Sequence, residues 1–293
     1  MPEPRLTVIV CTHERPADLA RCLEALARVT DPVDVVVVDS ASAPPCRAVV
    51  ERFARRIPRL RYEYEPQPGL SRARNRGLEL AGTELVAFVD DDAAVVPDWA
   101  RRIAAPFADP AVACVGGACV PLFRAQRPAW LSDRLLQLAG ITRYGAHARD
   151  VRRRSDYPFG ANMCFRADAL RAVGAFAEEL GRTGSSLLSG EDTAAVDALR
   201  AAGFRVRLEP AAVVEHCVAP ERCRSGYYWR RLWWQGVTRA RSRRARGDGL
   251  RLAAAAPARL LLWALRRDRL YLYRLAETAG YTVERLAQAR ARL

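Results

Sequence analysis

Residues 84–92, Glu-Leu-Val-Ala-Phe-Val-Asp-Asp-Asp, decide the fold of this chain, because five apolar residues run directly into three aspartates. A short, continuous apolar run indicates a strand that is covered on both faces, as in a parallel sheet. Asp90 and Asp92 then lie on the same side, since side chains alternate along a strand. Three adjacent carboxylates repel each other, and a divalent cation that prefers oxygen ligands relieves the repulsion. The structural alternative, capping of the next helix, accounts for one aspartate of the three.

Apolar strands and amphipathic helices alternate on both sides of this stretch. Strand patterns lie at 6–12, 33–39, 61–65 and 113–120, and helical periodicity lies at 16–29, 70–81 and 97–108. This alternation predicts βαβ units and an α/β fold with a mostly parallel sheet. Ligands of such sheets bind at the carboxyl ends of the strands. We therefore expect the polar strand ends at Thr12, Asp39 and Asp90 to open onto one crevice.

The second half of the chain continues the α/β pattern and then becomes helical. Strand patterns lie at 159–166, 204–208 and 212–216, and helical patterns lie at 167–173 and 191–202. The stretches between them predict an irregular covering loop at 121–158 and a mobile, Gly/Ser-rich loop at 177–189. We predict an α/β domain over 1–220, with halves at 1–120 and 121–220, and a helical tail over 221–293 that is broken at 247–249.

The charge of the chain is concentrated in this tail. The formal net charge of the 293 residues is +14, and no lysine is present, so its long basic side chains are all arginine. Residues 221–293 hold 18 arginines and five acidic residues. The eight cysteines form no C-x-x-C pair, and the first apolar run is too short for a signal peptide. We therefore expect a cytoplasmic protein with reduced thiols.

Three further positions have a chemical and a structural interpretation. Asp39 ends a run of four valines, and it either hydrogen-bonds a base or ribose or caps the following turn. Asp192 begins a helix after the Gly/Ser-rich loop, and it is either a general base or a helix cap. His216 ends an apolar strand, and its imidazole either completes a metal shell or is structural. The spacing alone leaves these choices open.

An arginine-rich helix start lies at 68–77, Pro-Gly-Leu-Ser-Arg-Ala-Arg-Asn-Arg-Gly. Arg72 and Arg76 share a helix face, because side chains four residues apart are neighbours. Guanidinium forks suit phosphate and carboxylate groups. The alternative is a solvated basic face without a ligand.

Taken in order, these motifs resemble those of family-2 glycosyltransferases with the GT-A fold. The motifs are CTHERP from Cys11, VVVVDSAS from Val35, PGLSRARNRG from Pro68, FVDDDAAVVPDW from Phe88, GAN from Gly160 and GED from Gly190. The resemblance covers residues 5–218 and is greatest to bacterial polysaccharide-type and natural-product-type members. It implies a Rossmann-like, nucleotide-diphospho-sugar transferase fold over 1–220, with a nucleotide-binding half, an acceptor half and a C-terminal helical extension.

The resemblance also implies a role for each motif. The donor-binding residues would be Thr12, Glu14, Arg15, Asp39, Arg72, Arg74, Asn75, Asp90 and Asp91. The residues that hold Mn²⁺ or Mg²⁺ would be Asp92, Asp90 and His216, and those near the sugar and acceptor would be Gly160, Ala161, Asn162 and Glu191. Asp192 would be the general base of an inverting transfer. The donor would be a UDP-, GDP- or dTDP-sugar, and the acceptor a glycan, a lipid-linked glycan or a small molecule.

The tail lies mostly beyond the resemblance and has three interpretations. Its aromatic segment, 227–234, precedes a run of arginines at 239–246. Aromatic and basic residues together suit the surface of an anionic membrane, and they also suit single-stranded nucleic acid. Alternatively, the aromatic residues pack the tail helices while the arginines are solvated. We expect packing or membrane docking at the inner face rather than nucleic-acid binding.

Two other functions compete with sugar transfer. A sugar nucleotidyltransferase would usually have a Gly-rich phosphate loop after the first strand, whereas this chain has Thr-His-Glu-Arg-Pro at 12–16. A non-catalytic protein that binds nucleotide sugars or membrane surfaces would not need both the triple aspartate and Asp192. Both alternatives therefore leave part of the sequence unexplained.

Overall fold

The computed structural model describes residues 6–142, 144–184, 186–241, 252 and 254–290. They form two compact units. The first takes in the described residues of 1–122, 140–181 and 191–217, and the second those of 123–139, 182–190 and 218–293. The predicted tail break at 247–249 and the arginines at 243, 244 and 246 lie outside the described residues.

The first unit is built on a mixed sheet with strand order β3-β2-β1-β4-β8-β6-β9-β5, and β7 pairs with β9. The strands are β1 Leu6–Thr12, β2 Asp34–Ser40, β3 Leu60–Glu65, β4 Leu85–Asp90, β5 Ala93–Val95, β6 Val112–Phe123, β7 Arg149–Asp150, β8 Asn162–Arg166 and β9 Arg205–Val218. β3, β2, β1 and β4 run parallel, so their carboxyl ends meet at one edge. The predicted mixed α/β sheet is confirmed.

Helices of the first unit bury apolar residues beside the sheet. They are α1 Pro16–Leu26, α2 Arg47–Glu51, α3 Leu70–Leu80, α4 Trp99–Ala104, α6 Ala167–Ala172 and α7 Glu191–Ala201. The short helix α5 Asp133–Leu136 belongs to the second unit. In α1, Pro16 occupies the first turn, where no backbone donor is needed, and Leu19, Leu23 and Leu26 are buried. Most predicted strands and helices of the first 120 residues agree with these bounds within about two residues.

Two strands differ from the sequence prediction, and both position the candidate site. β9 is one continuous strand, whereas two strands at 204–208 and 212–216 were expected. The chain passes through Pro210 without a break, and the Glu209 carboxylate accepts a hydrogen bond from the Ala211 amide at 3.2 Å. β5 has three residues, too few for a periodic pattern, and it pairs antiparallel with β9. This pairing places Ala93 opposite His216.

The second unit contains α8 Ser225–Arg241, α9 Ala256–Arg266 and α10 Arg269–Arg290. α8 and α10 approach each other closely at glycine. A Cβ atom added to Gly236 would lie 2.1 Å from the Glu277 carbonyl oxygen, and one added to Gly280 would lie 2.2 Å from the Trp233 carbonyl oxygen. Among the described helices, none is both long enough and apolar enough to span a bilayer.

Candidate active site

The centre of the site is a cluster of Asp90, Asp92 and His216. Each residue offers one ligand atom, and these three atoms lie within 4.8 Å of one another. Asp90 ends β4, Asp92 lies just before β5, and His216 comes from β9. Two carboxylate oxygens and one imidazole nitrogen fit a hard divalent cation, and the nitrogen favours Mn²⁺ over Mg²⁺, which binds mainly oxygen ligands. The donor set therefore fits the predicted cofactor.

The pairing of β5 with β9 assembles this cluster. His216 Nε2 lies 3.0 Å from Asp92 Oδ1, and the Cys217 amide donates to the Asp92 carbonyl at 2.9 Å. Gly140 lies against the imidazole, since a Cβ atom there would be 2.8 Å from His216 Cε1. Gly140 also has φ +88°, which favours glycine. Gly140 could not be recognised from the sequence, because a single glycine in an irregular segment carries no spacing signal.

Asp91 serves a different purpose from its two neighbours. Its carboxylate is buried and accepts a hydrogen bond from the Thr12 hydroxyl at 2.8 Å. The Arg15 guanidinium lies 3.3 Å from Asp91 and 3.6 Å from Asp92. Burial raises the pKa of the Asp91 carboxyl to about 7, although the nearby Arg15 opposes the shift. The strand ends at Asp90, and the turn at Asp91 and Asp92 divides the triplet between one anchor and two candidate ligands.

Asp39 is fully buried, and protein groups already occupy its carboxylate. It accepts hydrogen bonds from the Ser42 amide at 3.2 Å, the Cys46 amide at 2.6 Å and the Tyr62 hydroxyl at 2.8 Å. These contacts match the second interpretation of Asp39 from the sequence, in which its carboxylate caps the following turn. Glu14 is exposed on the neighbouring loop, and its amide donates to Ser42 Oγ at 2.8 Å. The two loops are thus held together at the end of the parallel strands.

Arg74 is buried and joins two acidic parts of the site. Its guanidinium donates to Glu191 Oε1 at 2.7 Å and lies 3.5 Å from Asp90 Oδ1. The guanidinium also lies over the Phe176 ring, 5.4 Å from the centroid. Gly160 leaves room for it, since a Cβ atom there would be 2.4 Å from Arg74 Nη2. Arg74 therefore links Glu191 to Asp90 within the site, and its predicted contact with the donor stays a prediction.

The two other predicted residues of α3 have different environments. Arg72 is partly exposed and forms an ion pair with Glu178 at 2.5 Å. The Asn75 side chain donates to the Phe176 carbonyl at 2.9 Å and accepts from the Phe176 amide at 3.0 Å. Asn75 thus fixes the backbone of the segment whose aromatic ring lies against Arg74.

Asp192 lies at the start of α7, next to the Glu191 that pairs with Arg74. Its Oδ2 accepts a hydrogen bond from the Gly160 amide at 3.3 Å, and its Oδ1 accepts from the Thr193 amide at 2.7 Å. The carboxylate is only partly buried. Asp192 is therefore oriented by two backbone donors while it keeps access to solvent.

The predicted segment 160–162 leads from the crevice into the core. Ala161 is buried, and Asn162 is completely buried. The Asn162 amide donates to the carbonyls of Ala118 and Ala212 at 3.0 and 2.8 Å, and its oxygen accepts from the Trp99 indole at 2.9 Å. The Asn162 side chain therefore bonds only to protein groups in these three contacts, and it links neighbouring strands of the sheet beneath the site.

Comparisons with known proteins agree with this architecture. The model of the family "Glycosyl transferase family 2" matches residues 7–174. The glucosyl-dolichyl phosphate glucuronosyltransferase of Haloferax volcanii is 26% identical over 80% of this chain and 76% of its own length. The succinoglycan biosynthesis protein ExoM of Rhizobium meliloti is 28% identical over 83% of this chain and 77% of its own length.

A solved structure shows the same fold. The mannosyltransferase PcManGT from Pyrobaculum calidifontis, in complex with GDP-Man and Mn²⁺, superposes with a TM-score of 0.66 at 22% identity. The superposition covers 95% of this chain and 87% of the other. The family match spans more than half of the sequence, and the related proteins are named for glycosyl transfer or polysaccharide synthesis. The chain therefore belongs to glycosyl transferase family 2 and is a glycosyltransferase with the GT-A fold.

Proposed function

We propose that this glycosyltransferase transfers a sugar from a nucleoside diphosphate donor to an acceptor hydroxyl, with inversion at the anomeric carbon. The observation that carries the proposal is the convergence of Asp90, Asp92 and His216 within 4.8 Å. This cluster lies at the carboxyl ends of the parallel strands, where α/β sheets bind ligands. Arg74 joins it through Glu191 to the start of α7.

The donor side of the reaction needs positive charge at the leaving diphosphate. Asp90, Asp92 and His216 would hold a divalent cation, which stabilises the developing negative charge when it is bound. Arg15 is 46% exposed at its side chain and lies beside Asp91 and Asp92, so it can turn toward a phosphate. The Mn²⁺ and GDP-Man in the PcManGT complex support a metal-bound nucleotide sugar as the donor class.

The acceptor side needs a base, and we assign this role to Asp192. Asp192 takes the proton of the acceptor hydroxyl while the hydroxyl oxygen attacks the anomeric carbon. The bond from that carbon to the diphosphate oxygen breaks, and the nucleoside diphosphate leaves. The Gly160 and Thr193 amides hold the carboxylate in place during this step.

The proposed acceptor is the hydroxyl of a glycan, a lipid-linked glycan or a small molecule. The Haloferax relative is named for a glucosyl-dolichyl phosphate, which supports a lipid-linked acceptor as the first compound to assay. All eight cysteines are free thiols, and six of them are buried. Free thiols suit a reducing compartment, so the proposed location is the cytoplasm.

Substitution of the base tests the proposal. Asp192→Asn should lower kcat by about 10²- to 10⁴-fold, because general base catalysis contributes on this scale, while donor affinity stays within about twofold. The assay measures release of nucleoside diphosphate from UDP-, GDP- and dTDP-sugars with and without Mn²⁺, and donor affinity by calorimetry. Asp168→Asn is the control, because the Asp168 side chain is 98% exposed and outside the site. If the Asp192→Asn variant transfers sugar at the wild-type rate, Asp192 is not the base.

A further inference from the structure

The helix α9, Ala256–Arg266, turns its apolar side toward solvent. None of its residues is buried, and Leu260, Leu261 and Leu265 are 45%, 61% and 72% exposed. Successive residues of an α-helix are rotated by about 100° around the helix axis. On this scale, the exposed positions between 257 and 265 fall within one arc of roughly 160°. This arc contains only apolar residues, namely Pro257, Ala258, Leu260, Leu261, Ala264 and Leu265. A surface helix normally has the opposite arrangement.

A polar contact fixes α9 in this orientation. The Arg259 guanidinium donates to the Arg274 carbonyl at 3.1 Å and to the Thr278 hydroxyl at 2.8 Å, and both acceptors belong to α10. Arg259 lies on the side of α9 opposite Leu261, so this anchor directs the leucines outward. The exposed leucines are thus held on the outside by the fold of the second unit.

Arginines flank α9 on both sides in the sequence. Arg239 and Arg241 in the last turn of α8 pair with Glu277 and Glu284, whereas Arg266 and Arg267 follow the last leucine of α9. Residues 221–293 hold 18 arginines against five acidic residues. Arg266 and Arg267 are exposed. An apolar helix face with cationic flanks is typical of a helix that lies in the interface of an anionic bilayer. The charge also disfavours a second copy as the occupant, because two such faces would bring like charges together.

The aromatic segment of the tail has a different role from α9. Tyr228 is buried on α8, and its ring stacks on that of Tyr273 with centroids 6.0 Å apart. Trp229 packs edge-on against the same tyrosine, with centroids 5.1 Å apart. Within the part of the tail that the structure describes, these aromatic residues join α8 to α10. Among the large hydrophobic residues of the described tail, Leu265 and Leu261 of α9 are the most exposed, at 72% and 61%, whereas Trp229 of the aromatic segment is 37% exposed.

We propose that α9 docks the chain on an anionic lipid surface, with Leu260, Leu261 and Leu265 inserted among the acyl chains. The flanking arginines then lie at the level of the anionic headgroups. The helix lies in the interface and does not cross the bilayer, in agreement with its length of 11 residues. This proposal is independent of the catalytic assignment, because docking is measured without a donor.

Vesicle co-sedimentation of the full chain tests the proposal. We expect binding to vesicles of phosphatidylcholine with 30% phosphatidylglycerol, at least tenfold weaker binding to pure phosphatidylcholine, and a several-fold loss in 0.5 M NaCl, since salt screens exposed charges. The variant Leu261→Glu/Leu265→Glu should lose at least tenfold in binding to the anionic vesicles. Both leucines are exposed, so thermal melting should show that the fold is retained.

A matched control separates α9 from a general effect of added negative charge. The variant Tyr64→Glu/Leu122→Glu changes two exposed apolar residues of the first unit, at 40% and 41% exposure, and it should bind like the wild type. Three results would overturn the proposal: no vesicle binding, equal binding to neutral and anionic vesicles, or wild-type binding by the α9 variant. Sedimentation velocity tests the other possible occupant. If the wild type is a dimer and the α9 variant is a monomer, the exposed face of α9 binds a second copy of the chain and not a membrane.

Discussion

At the scale of single residues, Arg74 connects the chemistry of the site to the stability of the chain. Its side chain is 4% exposed and pairs with a Glu191 side chain that is 6% exposed. If one partner of a buried ion pair is removed, the other charge stays buried with neither water nor a counter-charge, and the fold is destabilised. Arg74 thus supplies the counter-charge that makes the burial of the Glu191 carboxylate possible.

Replacement of Arg74 should cost far more than replacement of Arg72. Arg74→Gln leaves Glu191 buried without its cation and should lower the free energy of unfolding by about 3–5 kcal/mol. Arg72→Gln removes a solvent-exposed pair with Glu178 and should cost less than about 1 kcal/mol. Chemical denaturation followed by circular dichroism measures both values. Equal losses would show that the Arg74 pair contributes no more than a surface pair.

Gly140 gives a second prediction at this scale, because it touches the imidazole of a candidate ligand. Gly140→Ala would place a Cβ atom 2.8 Å from His216 and should weaken Mn²⁺ affinity by roughly 10- to 100-fold, as loss of outer support does in metal sites. Isothermal titration calorimetry on the purified chain measures this affinity.

Gly145→Ala is the matched control for Gly140→Ala. Gly145 has a similar φ of +79°, but a Cβ atom there would meet nothing within 4 Å. The control therefore has the same backbone strain without the contact to His216, and its Mn²⁺ affinity should stay near that of the wild type. If both variants weaken Mn²⁺ binding equally, backbone strain and not the His216 contact is responsible.

At the scale of elements, the crossing of α8 and α10 depends on the absence of side chains at Gly236 and Gly280. Gly236→Ala would place a Cβ atom 2.1 Å from a carbonyl oxygen of α10, so it should lower the free energy of unfolding by about 1–3 kcal/mol. Gly226→Ala, in the same helix but without a neighbour within 4 Å, should change it by less than about 1 kcal/mol. Thermal melting compares the two variants. A Gly236→Ala variant as stable as Gly226→Ala would contradict this close packing.

The elements that the sequence predicted well are those with continuous hydrophobic patterns. β1 and β4 are buried on both faces, and their apolar runs end where the polar residues of the site begin. β5 was missed because three residues carry no period. β9 was expected as two strands at 204–208 and 212–216, and the structure joins them through Pro210, a residue that is rare inside strands. Local pattern therefore predicts the strands, whereas long-range pairing decides where a short strand forms.

The same distinction applies to the residues of the site. The alternation of side chains predicted that Asp90 and Asp92 share a side, and the structure brings them together with His216. The sequence left the role of Asp39 open, and the contacts with the Ser42 and Cys46 amides are those of the turn cap. The burial of Asn162 could not be predicted, because it depends on carbonyls of β6 and β9 that are distant in the sequence. Motifs thus indicate which residues gather at the crevice. Only the packing shows which of these side chains face the crevice and which are buried in the structure around it.

At the scale of the whole molecule, the two units have separate kinds of chemistry. The first unit carries the candidate metal ligands and Asp192, all on or beside its sheet. The second unit carries most of the excess arginine and the exposed leucines of α9. Composition predicted this difference, since the excess charge is concentrated in the tail. It could not predict that Tyr228 and Tyr273 pack together while Leu260, Leu261 and Leu265 are exposed.

The course of β9 has a consequence for how relatives of this chain are compared. The family model matches residues 7–174, yet His216 and Asp192 follow that segment. A homologue can therefore retain every motif of the matched segment and still lack an imidazole donor and an acid at the start of α7. If the proposed mechanism is correct, sorting family members by those two downstream positions should separate transferases that share it from paralogues that have kept the scaffold and changed or lost the reaction.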